Sequence, residues 1–161
     1  DFAVNSQSDF IFGVAYGLEQ ACKLGQKYEW NSTNAISLLD YIAAHSQTVW
    51  AFEFGNEVNN NGPGTACNQS SAQQAHGQQV LRQLVERKVP QAVLIGPDTG
   101  YREAENWLKE FLPFVSPRLH AITHHVYNSI SRSNFNSVAQ LDSSLPEITW
   151  YTALLREQAP D

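Results

Sequence analysis

The chain has 161 residues, 42% of them apolar and 16% charged, and a formal net charge of −6. That length accommodates one domain with a sizeable core, and that composition excludes a chain dominated by disorder. The acidic balance argues against nucleic acid and strongly anionic membranes as main partners, and no apolar run approaches the roughly 20 residues of a spanning helix. Low charge with many Asn, Gln and Ser residues fits a secreted protein, extracellular or lysosomal, with membrane association left open. The first residue is Asp1 and no signal peptide is evident, so residues 1–161 are expected to be a single internal segment of a longer precursor.

Taken in order, the pattern alternates strand and helix. Phe10 to Ala15 is a continuous apolar run, expected to be a strand buried on both faces. Ser32, Thr33 or Asn34 can cap a helix over Ala35 to His45, with Ile36, Leu39, Ile42 and Ala43 inward. Val49 to Phe54 is the next strand, and the polar loop Asn59 to Ser71 follows it. A second helix covers Ala72 to Lys88, with Val80, Leu81, Leu84 and Val85 inward and Pro90 beyond its end. Ala92 to Ile95 is a third strand stopped by Gly96-Pro97-Asp98, Glu103 to Val115 a helix broken near Pro113, and Leu119 to Tyr127 a fourth strand. Asn136 to Gln158 includes a last helix, clearest from Glu147 onward after a break at Pro146. Successive strand–helix units imply a parallel sheet with right-handed crossovers, either doubly wound or half of a (β/α)8 barrel.

The candidate chemistry falls at strand C-termini, where both architectures place their sites. The aromatic strand through Phe54 ends in Gly55-Asn56-Glu57. A carboxyl in a partly desolvated cleft there can hold its proton near neutrality and donate it, and the amide of Asn56 suits a sugar 2-hydroxyl. Glu53, inside the strand, reads as a buried polar group. Asp98 reads as a turn or helix-cap residue, or as a group orienting an arginine or the loop beside the acid. His124 and His125 are adjacent and face opposite sides of a strand, so His125 and Tyr127 share a face. Tyr127 can orient a nucleophilic carboxylate, and His125 can contact substrate. Arg102 and Arg132 are candidate ligands for a sugar carboxylate. No metal or cofactor is expected, because no histidine–cysteine set with ligand spacing accompanies these residues, and no phosphate loop or serine elbow is present. Cys22 and Cys67 are either separate thiols or a disulfide between loops, and Asn31-Ser32-Thr33 and Asn68-Gln69-Ser70 are glycosylation sequons.

These residues resemble the heparanase family, glycoside hydrolase family 79, of the clan of retaining (β/α)8 hydrolases. The resemblance is carried by Ile11-Phe12-Gly13-Val14, Trp30-Asn31-Ser32-Thr33-Asn34-Ala35, Phe54-Gly55-Asn56-Glu57, Gly96-Pro97-Asp98-Thr99-Gly100 and Thr123-His124-His125-Val126-Tyr127, in that order. It implies a partial TIM barrel, strands three to six with their helices, incomplete at both ends. Glu57 would be the acid/base, Asn56 its sugar-contacting partner, and His125 and Tyr127 active-site residues of the sixth strand. It further implies metal-free, retaining cleavage at β-linked glucuronic acid in a glycan or proteoglycan. The nucleophile would lie on the seventh strand, beyond Asp161. The segment alone is therefore expected to be inactive, its missing barrel half supplied by the same precursor or a second chain. Val58 replaces the family's frequent proline, and 59–71 holds no Lys or Arg. The second point weighs against sulfated substrates and leaves β-glucuronidase as good an expectation as heparanase. A non-catalytic carbohydrate-binding or structural descendant of the fold is the alternative.

Overall fold

The computed structural model describes residues 5–16, 30–59, 70–100, 105–115, 119–125 and 144–158. Its elements are β1 (Ile11–Val14), α1 (Thr33–Ala44), β2 (Ala51–Phe54), α2 (Ser71–Lys88), β3 (Val93–Thr99), α3 (Glu105–Val115), β4 (Ala121–His124) and α4 (Ser144–Gln158). The strands pair in parallel, in the order β1-β2-β3-β4. A doubly wound sheet reverses its strand order at a switch point, whereas a barrel winds on in sequence. The uninterrupted order makes this chain α/β with the winding of a partial (β/α)8 barrel. Among the described residues no helix is long and apolar enough to cross a membrane.

Alternation along the strands fixes what faces the helices. Phe12, Phe52 and Leu94 are aligned across three strands and join the cluster that also holds Leu39, Ile42, Leu81, Leu84 and Val85 from α1 and α2. Phe52 and Phe54 are completely buried, each worth roughly 1.5–3 kcal/mol in transfer from water. A second cluster joins Leu108, Phe111, Leu112 and Val115 of α3 to Tyr151 and Leu154 of α4. Gly13 and Glu53, aligned with each other and with Ile95, occupy the sheet face opposite Phe12 and Phe52. β1 is not buried on both faces as its composition suggests. Ile11 is 44% exposed and Gly13 is also open, because β1 is an edge of the described sheet.

Helix boundaries depart from expectation where local hydrogen bonds decide them. α1 begins at Thr33, whose N–H donates to Asn31 Oδ1 at 3.0 Å, while Ser32 at the N-cap position makes no side-chain cap bond. Ile36 is only partly buried and Ala43 exposed, so the inward stripe is Ala35, Leu39 and Ile42. α2 opens with a capping box: Ser70 Oγ accepts from Gln73 N, and Ser70 N donates to Gln73 Oε1. Arg87 and Lys88 complement its C-terminal dipole, and Lys88 pairs with Asp40 of α1. α3 continues through Pro113 instead of breaking there. Pro113 sits in the last turn on an exposed face, where one lost backbone bond is met by solvent. Pro146 lies in the first turn of α4, a position that has no intrahelical N–H bond to lose.

β3 also differs. Gly96-Pro97 does not stop it; the strand runs to Thr99 through a register shift between Gly96 and Thr99. A bulge leaves a residue without a ladder partner, which is where a proline lacking its N–H is tolerated.

Gly77 of α2 packs on the Phe54 ring, and a Cβ there would come within 2.6 Å of Phe54 Cε1. Gly77→Ala is expected to destabilise the protein by about 1–2 kcal/mol, overpacking outweighing the gain in helix propensity. Thermal unfolding checks this, and an unchanged or raised Tm would contradict the packing account.

Candidate functional site

Three strand ends converge on one imidazole. β2 ends at Phe54, and the chain turns through Gly55 (φ +94°) and Glu57 (φ +45°). Val58 then inserts into the core with no exposure. An apolar side chain at this position therefore anchors the turn that carries Glu57. In β3 the bulge puts Asp98 at φ +55°. Asp98 N donates to Thr123 Oγ1 of β4 at 3.1 Å, and Glu57 N donates to Asp98 O at 2.7 Å. His125, just beyond β4, donates its backbone N–H to Thr99 O at 2.8 Å. The side chains then meet: His125 Nδ1 lies 2.6 Å from Glu57 Oε1, and Nε2 lies 2.9 Å from Asp98 Oδ1. The Glu57 and Asp98 side chains are about 10% and 9% exposed and the imidazole 31%, so the ring is the most open member.

The residues around this trio were not singled out from sequence. A Cβ on Gly100 would fall 2.8 Å from Glu57 Cδ, so the carboxyl can rest on the chain only because residue 100 is glycine. Asn59 clamps Gly100 with both amide atoms, accepting from Gly100 N at 2.9 Å and donating to Gly100 O at 2.7 Å. From α2, the fully buried Gln74 and Gln78 donate to Phe54 O at 2.8 Å and Ile95 O at 3.2 Å. They satisfy the carbonyl that ends β2 and, within β3, the one just before the bulge. The available signal was a pair of long polar residues four apart on the helix face that should be apolar.

The described residues place the candidates as follows. Glu57 and His125 come together. Asp98 is neither a helix cap nor oriented on an arginine in what is described; its carboxylate holds His125. His124 faces away from His125 and stacks on Tyr151 of α4, with ring centroids 3.7 Å apart. Tyr151 in turn bonds Thr99 Oγ1 at 3.1 Å. Asn56 is exposed beside Glu57, and Glu53 is half-buried on the face opposite Phe52. Asn31 is exposed just before α1. Tyr127, Arg102, Arg132, Asn68, Cys22 and Cys67 lie outside the described residues. Among those described, no three His, Cys, Asp or Glu groups are arranged to hold a metal ion.

Crowding of negative charge sets the electrostatics. Burial, then the charges of Glu53 and Glu57, push Asp98 from its ordinary 3.8 to about 6, against the opposing pull of His125. Burial alone would lower the His125 pKa, but the hydrogen bond that the Glu57 carboxylate accepts and the charges of Asp98, Glu57 and Glu53 outweigh it and raise it above the usual 6.5. His124 is lowered, first by burial and then by the charge on His125.

Both raised groups bind protons more tightly in the folded chain than in the unfolded one. For Asp98, stability falls as pH rises from about 4 to about 6. For His125, the stabilisation is complete below its ordinary 6.5 and is lost as pH climbs through the higher folded value. The Tm is therefore expected to drop by roughly 5 °C between about pH 5.5 and about pH 8. Calorimetry at fixed ionic strength checks this, and a Tm that rises over the interval would contradict it.

The sequence pattern of the glycosyl hydrolase family 79 N-terminal domain matches residues 2–144. "Heparanase-like protein 3" of Arabidopsis thaliana is 30% identical over 101 residues. That alignment covers 62% of this chain and 18% of the relative, so the chain spans only a minor part of the relative's length. With a match over most of its residues, and a sheet wound as that fold requires, the chain belongs to glycoside hydrolase family 79.

Proposed function

We propose that this chain is the acid/base-bearing segment of a retaining glycoside hydrolase acting at β-linked glucuronic acid in a glycan. The observation that carries the reading is the Glu57 carboxyl fixed at the C-terminal end of β2, 2.6 Å from His125 Nδ1. Glu57 donates its proton to the glycosidic oxygen as the C–O bond to the anomeric carbon breaks, so the leaving group departs neutral. In the second half of the reaction the same carboxylate takes a proton from the attacking water. Asn56, exposed next to it, offers an amide for the sugar hydroxyl flanking the broken bond. The nucleophilic carboxylate belongs to a later strand in this reading and is supplied by the rest of the barrel.

The substrate class rests on family membership and on the heparanase-like relative. The loop after Glu57 carries no Lys or Arg from 59 to 71, which favours an unsulfated glucuronide over a heavily sulfated chain. Placement outside the cell or in the lysosome is supported by the Asn31-Ser32-Thr33 sequon. Asn31 is exposed, and its Oδ1 caps Thr33 N, a bond compatible with a glycan on Nδ2.

The test is Glu57→Gln in the protein carrying this segment together with the rest of its barrel. Turnover of a glucuronide with a poor leaving group is expected to fall by about 10²–10⁴-fold, the range for loss of a general acid. Formation of the glycosyl-enzyme from an aryl glucuronide with an activated leaving group, which needs no protonation, is expected to fall far less. Equal losses on both substrates would defeat the assignment of Glu57 as proton donor.

A further inference from the structure

The proton held at Glu57 has a second keeper. His125 contacts a carboxylate through each ring nitrogen, Glu57 through Nδ1 at 2.6 Å and Asp98 through Nε2 at 2.9 Å. We propose that Asp98 is a positioning residue: by accepting Nε2–H of His125 it presents Nδ1 to Glu57, so that one proton is shared between them and held ready at Glu57. This inference rests on the reading of Glu57 as the acid/base.

The proton count follows from the two contacts. With three protonatable groups and an Nε2–H committed to the Asp98 carboxylate, one further proton occupies the line between Nδ1 and Oε1. In one state His125 is an imidazolium and Glu57 a carboxylate. Moving the proton from Nδ1 to Oε1 returns the ring electron pair to Nδ1 and leaves a neutral imidazole beside a carboxylic acid. Asp98 stays ionised in both, and the net charge of the trio is −1 in both. When Glu57 gives that proton to a leaving group, a neutral imidazole and two carboxylates remain, and the proton that Glu57 takes from the attacking water restores the shared one.

Several features hold this geometry for Asp98 in particular. Its backbone is fixed by Thr123 and by Glu57 N, so its position relative to Glu57 is set by direct main-chain contact. Among the described residues, the charged and titratable groups that face His125 include Glu57 and Glu53 from the β2 side, Asp98 from β3, and His124 on β4 itself. The three acidic ones favour the protonated ring. Glu53, half-buried, adds charge without joining the hydrogen-bonded line. An ordinary buried carboxylate in a bulge would be capped by backbone N–H groups; this one is aimed at a histidine whose other nitrogen touches the candidate acid.

The test uses ¹⁵N-histidine NMR and kinetics on the protein carrying the complete barrel, with the His125 signal assigned through His125→Gln. In the unaltered protein, His125 above its pKa is expected as the Nε2–H tautomer with Nδ1 unprotonated. Asp98→Asn keeps shape and tolerates the positive φ but removes the charge. The His125 pKa is expected to fall by about 1 unit or more. The basic limb of kcat against pH on an aryl β-glucuronide should move down equally, lowering kcat about tenfold above the limb with KM little changed. An Nδ1–H tautomer in the unaltered protein overturns the inference without any variant. So does a His125 pKa that moves by less than about 0.3 unit, or one that falls while the kinetic limb stays in place. The Glu57→Gln comparison stands apart: equal losses there remove the acid/base reading, whereas the tautomer and pKa of His125 report on Asp98 whatever Glu57 does in turnover.

Discussion

The site depends on one constraint: an imidazole after β4 must reach carboxylates delivered by β2 and β3 at the same time. Parallel pairing makes this possible, because it brings three C-termini to the same edge of the sheet. Regular strands would not suffice. Alternation would point successive side chains to opposite faces, and the carboxylates would stand too far along their own strands. The chain solves this with local irregularity. Glu57 and Asp98 both sit at positive φ, a conformation that costs a non-glycine residue on the order of 1–3 kcal/mol. The bond between Glu57 N and Asp98 O ties the two irregular points together, so each holds the other in its strained state.

What surrounds the trio explains how irregular backbone can be kept at a buried position. Where a strand leaves its ladder, carbonyls lose partners, and a buried orphan costs about 1–3 kcal/mol. Gln74 supplies a side-chain donor at the end of β2 and Gln78 one just before the bulge of β3, and Asn59 supplies an acceptor and a donor to the two polar atoms of Gly100. The helix thus spends two core positions on amides. Its apolar contribution shifts toward its C-terminal half, where Leu81, Leu84 and Val85 pack under β2 and β3. α2 is thus divided into a half that buries two amides beneath the trio and an apolar half beneath the sheet.

The elements were legible in sequence because burial imposes period and composition. Phe52 and Phe54 mark β2, and Leu39 with Ile42 marks α1. The order of strands, and hence the choice between barrel winding and a doubly wound sheet, was not legible from period alone, since both use the same units. Glu57 and His125 could be found because each ends a recognisable apolar run. Asp98 was visible only as a turn-type residue. Its partner is 27 residues away, and the Gly96-Pro97 pair reads as a strand terminator when a bulge is not foreseen. Gly100 and Asn59 meet between distant segments, and local pattern carries no trace of that contact, whereas the two glutamines show in sequence only as long polar residues on a helix face that should be apolar.

Three carboxyls and one imidazole in a half-buried cluster are poor for stability. A raised Asp98 means that the folded chain resists the very ionisation needed to hold His125, and the charge of Glu53 deepens this without forming part of the line. A protein selected only to fold would place apolar residues here, as buried ionic groups are commonly no better than hydrophobic substitutes. Retaining the cluster makes sense if the retained property is proton affinity. Repulsion among the acids keeps protons on the trio into the neutral range, and the two hydrogen bonds to His125 direct where they reside. The same crowding that weakens the fold as pH rises thus keeps a proton on the line between Glu57 and His125.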